Sequence, residues 1–299
     1  MDHDRYDWSA LPGRPAVTWP GEARVALMVV VSLQWFPLDM PALPFRPVGA
    51  LDEPYPDYRA YSHRDYGNRV GIFRIMAVLD RLGIRATAAV NAAIAERYPA
   101  LLAEVGSRGW EVAAHGLDMG RLHHAGLDRA EEAAMIDHAL TVLRRVTGRP
   151  VSGWLSPGGS ESLHTLDLLA ERDVAYVFDW VNDDLPYPLR TVRGRLHAMP
   201  YSHEISDATI IWQCHQSTRE FAEAVEDQFA ALDREAERSG GRILAVSLHP
   251  WIIGQPHRIG ALERALGRVA HQSGVWRATA SEILAAFTAQ EGPPVRVVQ

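Results

Sequence analysis

The sequence predicts an α/β fold in which mostly parallel strands curl into a single distorted barrel of about seven strands. Apolar runs rich in Val, Ala and Leu alternate with stretches of helical periodicity along most of the chain. That is the order of strand–helix units on a parallel sheet buried on both faces. The 299 residues show no internal repeat and no interdomain linker, and such a length is ordinary for one α/β barrel. Seven or eight units would close the sheet; an open, doubly wound sheet is the alternative architecture.

The elements follow in order. Residues 1–20 read as an N-terminal arm, 21–290 as the barrel and 291–299 as a C-terminal tail. The first strand spans Val25 to Leu33, and further strands are expected at 84–90, 110–115, 151–155, 175–179, 196–200, 243–249 and 275–278. Between Arg69 and Leu82, the residues Ile72, Ile75, Met76, Leu79 and Leu82 share one helical face. Asp128 and Glu131 have the spacing of a capping box and open a helix that stops near Gly148 and Pro150. Ser217 and Glu220 form a second box, before a stripe of Phe221, Val225, Phe229 and Leu232 that Gly240-Gly241 can end. The exception to this regularity is Phe36 to Asp65, a long stretch rich in Pro and Tyr. Following the first strand, it leaves from the active-site end of a parallel barrel, as a lid over a small substrate or as an arm onto a neighbouring subunit.

Composition excludes several classes. A hydrophobic fraction of 47% with 22% charged residues describes a globular chain with ample core. The net charge of −7 and the absence of a basic run argue against nucleic acid. No apolar run approaches the roughly 18 residues of a membrane span, and the acidic start Met1-Asp2-His3-Asp4 is unlike a signal peptide. The expectation is a cytoplasmic protein. Cys214 is the only cysteine, so neither an internal disulfide nor a thiolate metal cluster can form. As a nucleophile Cys214 is poorly served, because the adjacent His215 projects elsewhere on a strand or a helix.

Two apolar runs, Glu111 to Gly116 and Ile243 to Pro250, end on His115 and His249. Side chains at the C-terminal ends of barrel strands converge on one site, and imidazole exchanges protons near neutral pH. The first strand ends instead in Gln34-Trp35, where a hydrolase would show carboxylates.

Several segments together resemble the polysaccharide deacetylase superfamily (NodB-like, carbohydrate esterase 4-like), and especially its branch of allantoinase-like cyclic-amide hydrolases. They are Asp65-Tyr66-Gly67-Asn68-Arg69-Val70-Gly71, His115-Gly116, Gly153-Trp154-Leu155-Ser156-Pro157, Asp179-Trp180 with Asp183-Asp184, Pro200-Tyr201-Ser202, and His249-Pro250 with Gly254-Gln255-Pro256-His257-Arg258. The resemblance implies a distorted barrel, hydrolysis of a non-peptide C–N bond, and a homo-oligomer, often a tetramer. The departures are equally informative. Deacetylases carry an Asp-Asp pair, base and metal ligand, where this chain has Gln34-Trp35; the allantoinase-like branch usually keeps an acidic residue there. Deacetylases also carry a second metal-binding histidine four residues after the first, where this chain has Met119. Gln and Met cannot rebuild a hard zinc site. No cofactor is therefore expected, with a divalent metal such as zinc as the alternative. Asp118, His123 and His124 could supply substitute ligands, but they read as surface-loop residues.

Hydrolysis of an amide needs an activated water, a cradle for the oxyanion and an acid for the leaving nitrogen. His115 is the candidate to orient or activate water, and His249 to act as general acid or oxyanion contact. Asp179 would orient a histidine or serve as the missing base. Gln34 has both a donor and an acceptor for an amide edge. Trp35, Trp154 and Trp180 offer flat walls for a planar ring, and Arg69 could clamp a carboxylate or pair with Asp65 or Asp52. Gly158 and Gly159 would let backbone N–H groups approach a ligand, with Glu161 beside them. His203 and Glu204 would line the mouth. The sequence thus points to a hydrolase that opens a small cyclic amide, imide or ureide. A metal-dependent deacetylase of an acylated sugar or amine is the second reading, and a repurposed isomerase or binding protein the third.

Overall fold

The computed structural model describes residues 2–51 and 56–290; the tail at 291–299 and the acidic partner Asp52 lie outside them. The strands are β1 (Val25–Leu33), β2 (Thr87–Val90), β3 (Glu111–Ala114), β4 (Gly153–Trp154), β5 (Tyr176–Val177), β6 (Tyr187–Leu189), β7 (Leu196–Ala198), β8 (Arg242–Leu248) and β9 (Val275–Arg277). They lie in the order β6-β7-β5-β4-β3-β2-β1-β8, with β9 also paired to β1. Every described pairing is parallel except β6 with β7. The curled sheet meets itself through the irregular chain after β7: Ser206 bridges Ser247 in parallel, and Ser247 N–H donates to Ile205 O at 3.4 Å. The fold is thus the expected distorted barrel. Strands β4 and β5 are shorter than their apolar runs suggested. Strand β6 was not anticipated, because Pro186 and Pro188 mask it. Proline is tolerated in an edge strand such as this one.

Strand alternation sorts the core into two layers. On β1, Val25, Leu27, Val29, Val31 and Leu33 pack outward among the helices, whereas Ala26, Met28 and Val30 pack inside the barrel with Tyr176, Phe178, Met199, Ile243 and Ala245. Extended by one step toward the strand ends, the inner face changes from apolar to polar. Ser32 and then Gln34 follow on β1, Ser247 and His249 on β8, and His115 on β3.

The helices are α1 (Tyr58–Tyr66), α2 (Ile72–Leu82), α3 (Ala92–Arg97), α4 (Pro99–Ser107), α5 (Arg129–Thr147), α6 (Thr165–Ala170), α7 (Thr218–Ser239), α8 (Ile259–Ala270) and α9 (Ala280–Thr288). Helix α2 buries the face read from its periodicity. Ser217 and Glu220 close their capping box on α7, while Asp128 caps α5 through Ala130 N–H and Glu131 N–H. Among the described residues, no helix is long and apolar enough to cross a membrane.

The long Pro/Tyr-rich stretch is not wholly loop. Asp57 accepts from Ala60 N–H at 2.9 Å and starts α1, which runs through a wide turn at Gly67–Gly71 into α2. That turn lies directly on the chain after His249. A Cβ on Gly71 would stand 2.1 Å from Pro250 O, and one on Gly254 2.3 Å from the same oxygen. Two glycines therefore let a helix press on the His249 turn, which gives the Gly67–Gly71 motif a physical reason. The earlier part of the stretch packs Phe36, Met40, Ala50 and Leu51 around Met119 in a small apolar cluster of its own. Its Pro47 reaches over Gly158, so the segment roofs the mouth of the barrel.

Candidate active site

A cavity of about 350 Å³ opens at the C-terminal mouth of the barrel. Gln34, His115, Asp179, Tyr201, His203 and His249 bring their polar groups to it, with Pro47 and Val48 of the roof on one side.

His249 is held by a carboxylate that lies 42 residues earlier in the chain. Asp207, fully buried, accepts from His249 Nδ1–H at 2.7 Å, from His249 N–H at 2.8 Å and from Ile253 N–H at 3.3 Å. These bonds fix the ring and its tautomer, leaving Nε2 for the cavity. No local pattern marks Asp207 in the sequence: it sits in the irregular chain after β7, and only the fold brings it to His249.

His115 is set differently. Its Nδ1–H donates to Leu155 O at 2.7 Å, and its Nε2 accepts from the Gln34 side-chain amide at 3.3 Å. Burial lowers its pKa to about 4, so the ring is neutral near pH 7. The backbone on either side of Gln34 is fixed too. Asn68 Nδ2–H donates to Gln34 O at 3.1 Å, and Trp35 N–H donates to Asn91 Oδ1 at 2.8 Å. Trp251 Nε1–H reaches Gln34 Oε1 at 3.4 Å. Gln34 is thus clamped with its Nε2 hydrogens committed to one ring nitrogen and to the cavity.

Asp179 accepts from Ser156 N–H at 2.8 Å through Oδ1, while Oδ2 is shut from solvent without an N–H or hydroxyl donor. Beside it stands Glu161, in hydrogen-bonding contact with Asp179 and anchored by Trp180 Nε1–H at 3.0 Å. Burial raises both carboxyls: Asp179 to about 6, and Glu161 further still, under the added charge of Asp179. Two carboxyls in contact share one proton across much of the neutral range.

Of the residues expected at the site, Gln34, His115, Asp179, His249, Gly158, Gly159 and His203 line the cavity. Others do not. Trp35 turns outward, with Arg97 stacked over its ring at 4.3 Å and Tyr61 edge-on at 5.8 Å. Trp154 is wholly buried and donates to Ser156 Oγ at 2.9 Å; it is core. Trp180 packs edge-on against His3 and Tyr6 of the N-terminal arm and serves Glu161, which stands behind Asp179 rather than in the wall. Arg69 is exposed on the wide helical turn, away from the cavity, and Glu204 is not part of the lining. His123 is not a surface residue. It is 1% exposed, and its Nδ1 pairs with the buried Glu132 at 2.9 Å. Tyr201, Ser32 and Ser247 complete the polar lining or its floor. The two serines were legible as the residues two positions before Gln34 and His249 on strands.

The metal that the superfamily resemblance implies does not fit these residues. The His115 Nε2 lone pair is engaged by an amide, Trp35 stacks outward under Arg97, Met119 borders the cavity with only a soft thioether, and a carboxamide offers no anionic oxygen at position 34. Among the described residues no group of three His, Cys, Asp or Glu could hold an ion.

The polysaccharide deacetylase family model matches residues 55–177. The crystal structure of Puue allantoinase is 24% identical, covers 97% of this chain and 100% of its own, and superposes with a TM-score of 0.83. A probable polysaccharide deacetylase from Pseudomonas aeruginosa PAO1 is 24% identical with a TM-score of 0.82, covering 95% of this chain and 98% of its own. A Schizosaccharomyces pombe protein provisionally named a polysaccharide deacetylase is 22% identical over 96% of this chain and 98% of its own length. By sequence match and by fold this chain is similar to the polysaccharide deacetylases, and the resemblance extends from its ordered motifs to the architecture of the whole barrel.

Proposed function

We propose that the protein hydrolyses the C–N bond of a small cyclic amide, imide or ureide, opening the ring with side-chain acid–base groups alone. The carrying observation is the pairing, in one small cavity, of a carboxylate-supported histidine and a buried carboxyl of raised pKa. Asp207 supports the imidazolium of His249, the form that can donate from Nε2. Asp179, above pH 6, supplies a carboxylate of unusual basicity. In the proposed step Asp179 takes a proton from water as the water oxygen bonds to the ring carbonyl carbon. The oxyanion accepts from the Gln34 amide, which His115 holds in place. His249 then gives its Nε2 proton to the ring nitrogen as the C–N bond breaks, and solvent returns the proton from Asp179 to His249. His115 is thereby a positioning residue rather than the base.

The electrostatics favour an uncharged substrate. The chain contains no lysine, and among the described residues no arginine lines the cavity, so a carboxylate or phosphate would meet the Asp179 carboxylate with no guanidinium or ammonium to offset it. The volume of about 350 Å³ suits a five- or six-membered ring rather than a sugar chain. The test is turnover of hydantoin, allantoin, succinimide and dihydrouracil by the purified protein, with metal content measured on the same sample. Ring opening that is lost in His249→Ala, with folding intact, is the expected result. Failure to open any of these rings would refute the reading, and ring binding without turnover would mark a binding protein instead.

A further inference from the structure

The indole that anchors Glu161 is itself held from outside the barrel, by the first residues of the chain. Tyr6 stands edge-on to Trp180 at 5.6 Å with the ring planes at 90°. His3 meets the same indole at 5.3 Å, and the two arm rings lie 4.8 Å apart. On its other side Tyr6 packs against Tyr187 of β6 at 5.1 Å. Edge-to-face contacts fix a ring's orientation as well as its place. Arg5, between His3 and Tyr6 in sequence, ties the arm down. Its guanidinium donates to both oxygens of Asp167 on α6 at 3.1 Å, to Leu163 O at 3.0 Å and to Arg190 O at 3.1 Å. Arg190 in turn donates its backbone N–H to Arg5 O at 2.6 Å and a guanidinium N–H to Asp4 O at 2.7 Å. A bidentate carboxylate pair with further carbonyl acceptors sets a geometry that a single surface ion pair does not. Leu163 lies two residues after Glu161, so the arm grips both the loop that carries Glu161 and the indole that binds it.

We propose that the N-terminal arm is a positioning element of the active site: His3 and Tyr6 hold the Trp180 N–H on one oxygen of Glu161, which turns the other oxygen, with its proton, to Asp179. Trp180 Nε1–H donates to Glu161 Oε1 at 3.0 Å. An indole N–H is a donor only, so it favours the oxygen that carries no proton. Burial and the charge of Asp179 keep a proton on Glu161 after Asp179 has ionised, and the remaining oxygen is the place for it. Glu161 then donates to the Asp179 carboxylate and orients it toward the cavity. Of the ionisable groups around the pair, Arg5 and Tyr187 act on Glu161, and His123 and Tyr201 on Asp179. Arg5, Tyr6 and Trp180 thus reach the chemistry through Glu161 without touching the substrate. The proposal rests on the ring-opening reading only for the role of Asp179 as base.

The experiment is a carbon-13 NMR pH titration of the full chain labelled at its aspartate carboxyls, with the pH dependence of ring opening measured beside it. The Asp179 signal is assigned by its loss in Asp179→Asn. Trp180→Phe keeps an aromatic ring against the arm and removes the N–H. With Glu161 released, the Asp179 carboxylate loses its donor and should titrate about one pH unit higher than in the wild type. The acid limb of ring opening should move up with it. Tyr6→Ala should give much of the same shift, and Tyr6→Phe, which keeps the ring, should restore the wild-type midpoint. An Asp179 midpoint unmoved or lowered in Trp180→Phe overturns the proposal. So does one unmoved in Tyr6→Ala, or shifted as far in Tyr6→Phe as in Tyr6→Ala. Rings opened by the wild type with every midpoint unmoved leave the hydrolase standing and refute the arm's role. A wild type that opens no ring refutes the hydrolase, and the NMR midpoints then decide the arm's role on their own.

Discussion

Replacing Asp179 with Asn should make the protein more stable near neutral pH while sharply lowering the proposed ring-opening activity. The magnitude follows from burial. The carboxyl titrates at about 6 in the folded protein against a reference of 3.8, and each unit of difference is worth about 1.4 kcal/mol. The folded value is raised, so the folded state binds this proton more tightly than the unfolded chain. The resulting stabilisation is fully present below about pH 4 and is lost as pH climbs through 6. Above pH 6 the buried carboxylate therefore costs on the order of 3 kcal/mol. Asn keeps the acceptor for Ser156 N–H and gives Glu161 an N–H donor in place of a repelling charge. Thermal unfolding by circular dichroism should show Asp179→Asn raising Tm by roughly 5 °C at pH 8, since 1 kcal/mol moves a domain of this size a few degrees. The gain should fade by pH 4. Ring opening by the wild type should fall as pH drops through 6, where the base becomes protonated, and the variant should lose about a hundredfold or more. A gain equal at pH 4 and pH 8, or destabilisation at both, would refute the assignment of a strained, buried base.

Asp207→Ala should abolish activity and lower stability by roughly 3–5 kcal/mol in urea unfolding. It strands the His249 ring N–H and the backbone N–H groups of His249 and Ile253 without their shared acceptor. Gln34→Glu should not confer stoichiometric zinc binding, as measured by elemental analysis after dialysis, because Trp35 and Met119 still withhold the other ligands; one zinc per chain would contradict the account of the site. Arg64 donates to Gly49 O at 2.7 Å and lies over the rings of Trp212 and Trp251 at 5.3 and 5.0 Å. Arg64→Met should therefore loosen the roof segment and speed limited proteolysis between residues 36 and 51, with little change in global Tm; unchanged cleavage would remove the roof's anchor from this description.

The barrel was legible because its evidence is periodic. Apolar alternation on β1 and β8, a 3.6-residue stripe on α2, the Ser217–Glu220 capping box and the Asp128 N-cap each repeat a local rule. Even the polar floor was within reach, since Ser32 and Ser247 follow from counting two residues back from Gln34 and His249. What the sequence withheld depends on closure of the sheet. Asp207 reaches His249 only because the chain after β7 crosses to β8 through the Ser206–Ser247 bridge. Glu161 meets Asp179 because Trp180 turns its indole back toward the loop after β4. The tryptophans misled for a related reason. Trp35 and Trp154 sit at strand ends, but one stacks under Arg97, distant in sequence, and the other turns into the core and donates to Ser156 only two residues on. Arg69 likewise looked like a clamp by its motif, whereas the buried guanidinium of that helical run is Arg64.

The three departures from the deacetylase pattern act as a set. With an acidic residue at position 34, the His115 Nε2 would face a negative oxygen and be drawn toward protonation or metal binding; with Gln34 it accepts a hydrogen bond and stays neutral. Once that nitrogen is engaged, a histidine at position 119 would have no ion to share, and the site is filled instead by Met119, which anchors Phe36, Met40 and Leu51 of the roof. Trp35, relieved of any ligand role, closes the outer side through Arg97, Tyr61 and Tyr98. Compared with that pattern, none of the three residues supplies an anionic or imidazole ligand, and each makes a packing or hydrogen-bonding contact of its own. Burial strengthens the hydrogen bonds and charges inside the cavity, and burial is what raises the Asp179 carboxyl; in the proposed reaction the Gln34 amide would serve the oxyanion. Replacing Gln34 or Met119 alone by an acidic residue or a histidine is therefore expected to disturb these contacts without assembling a metal site.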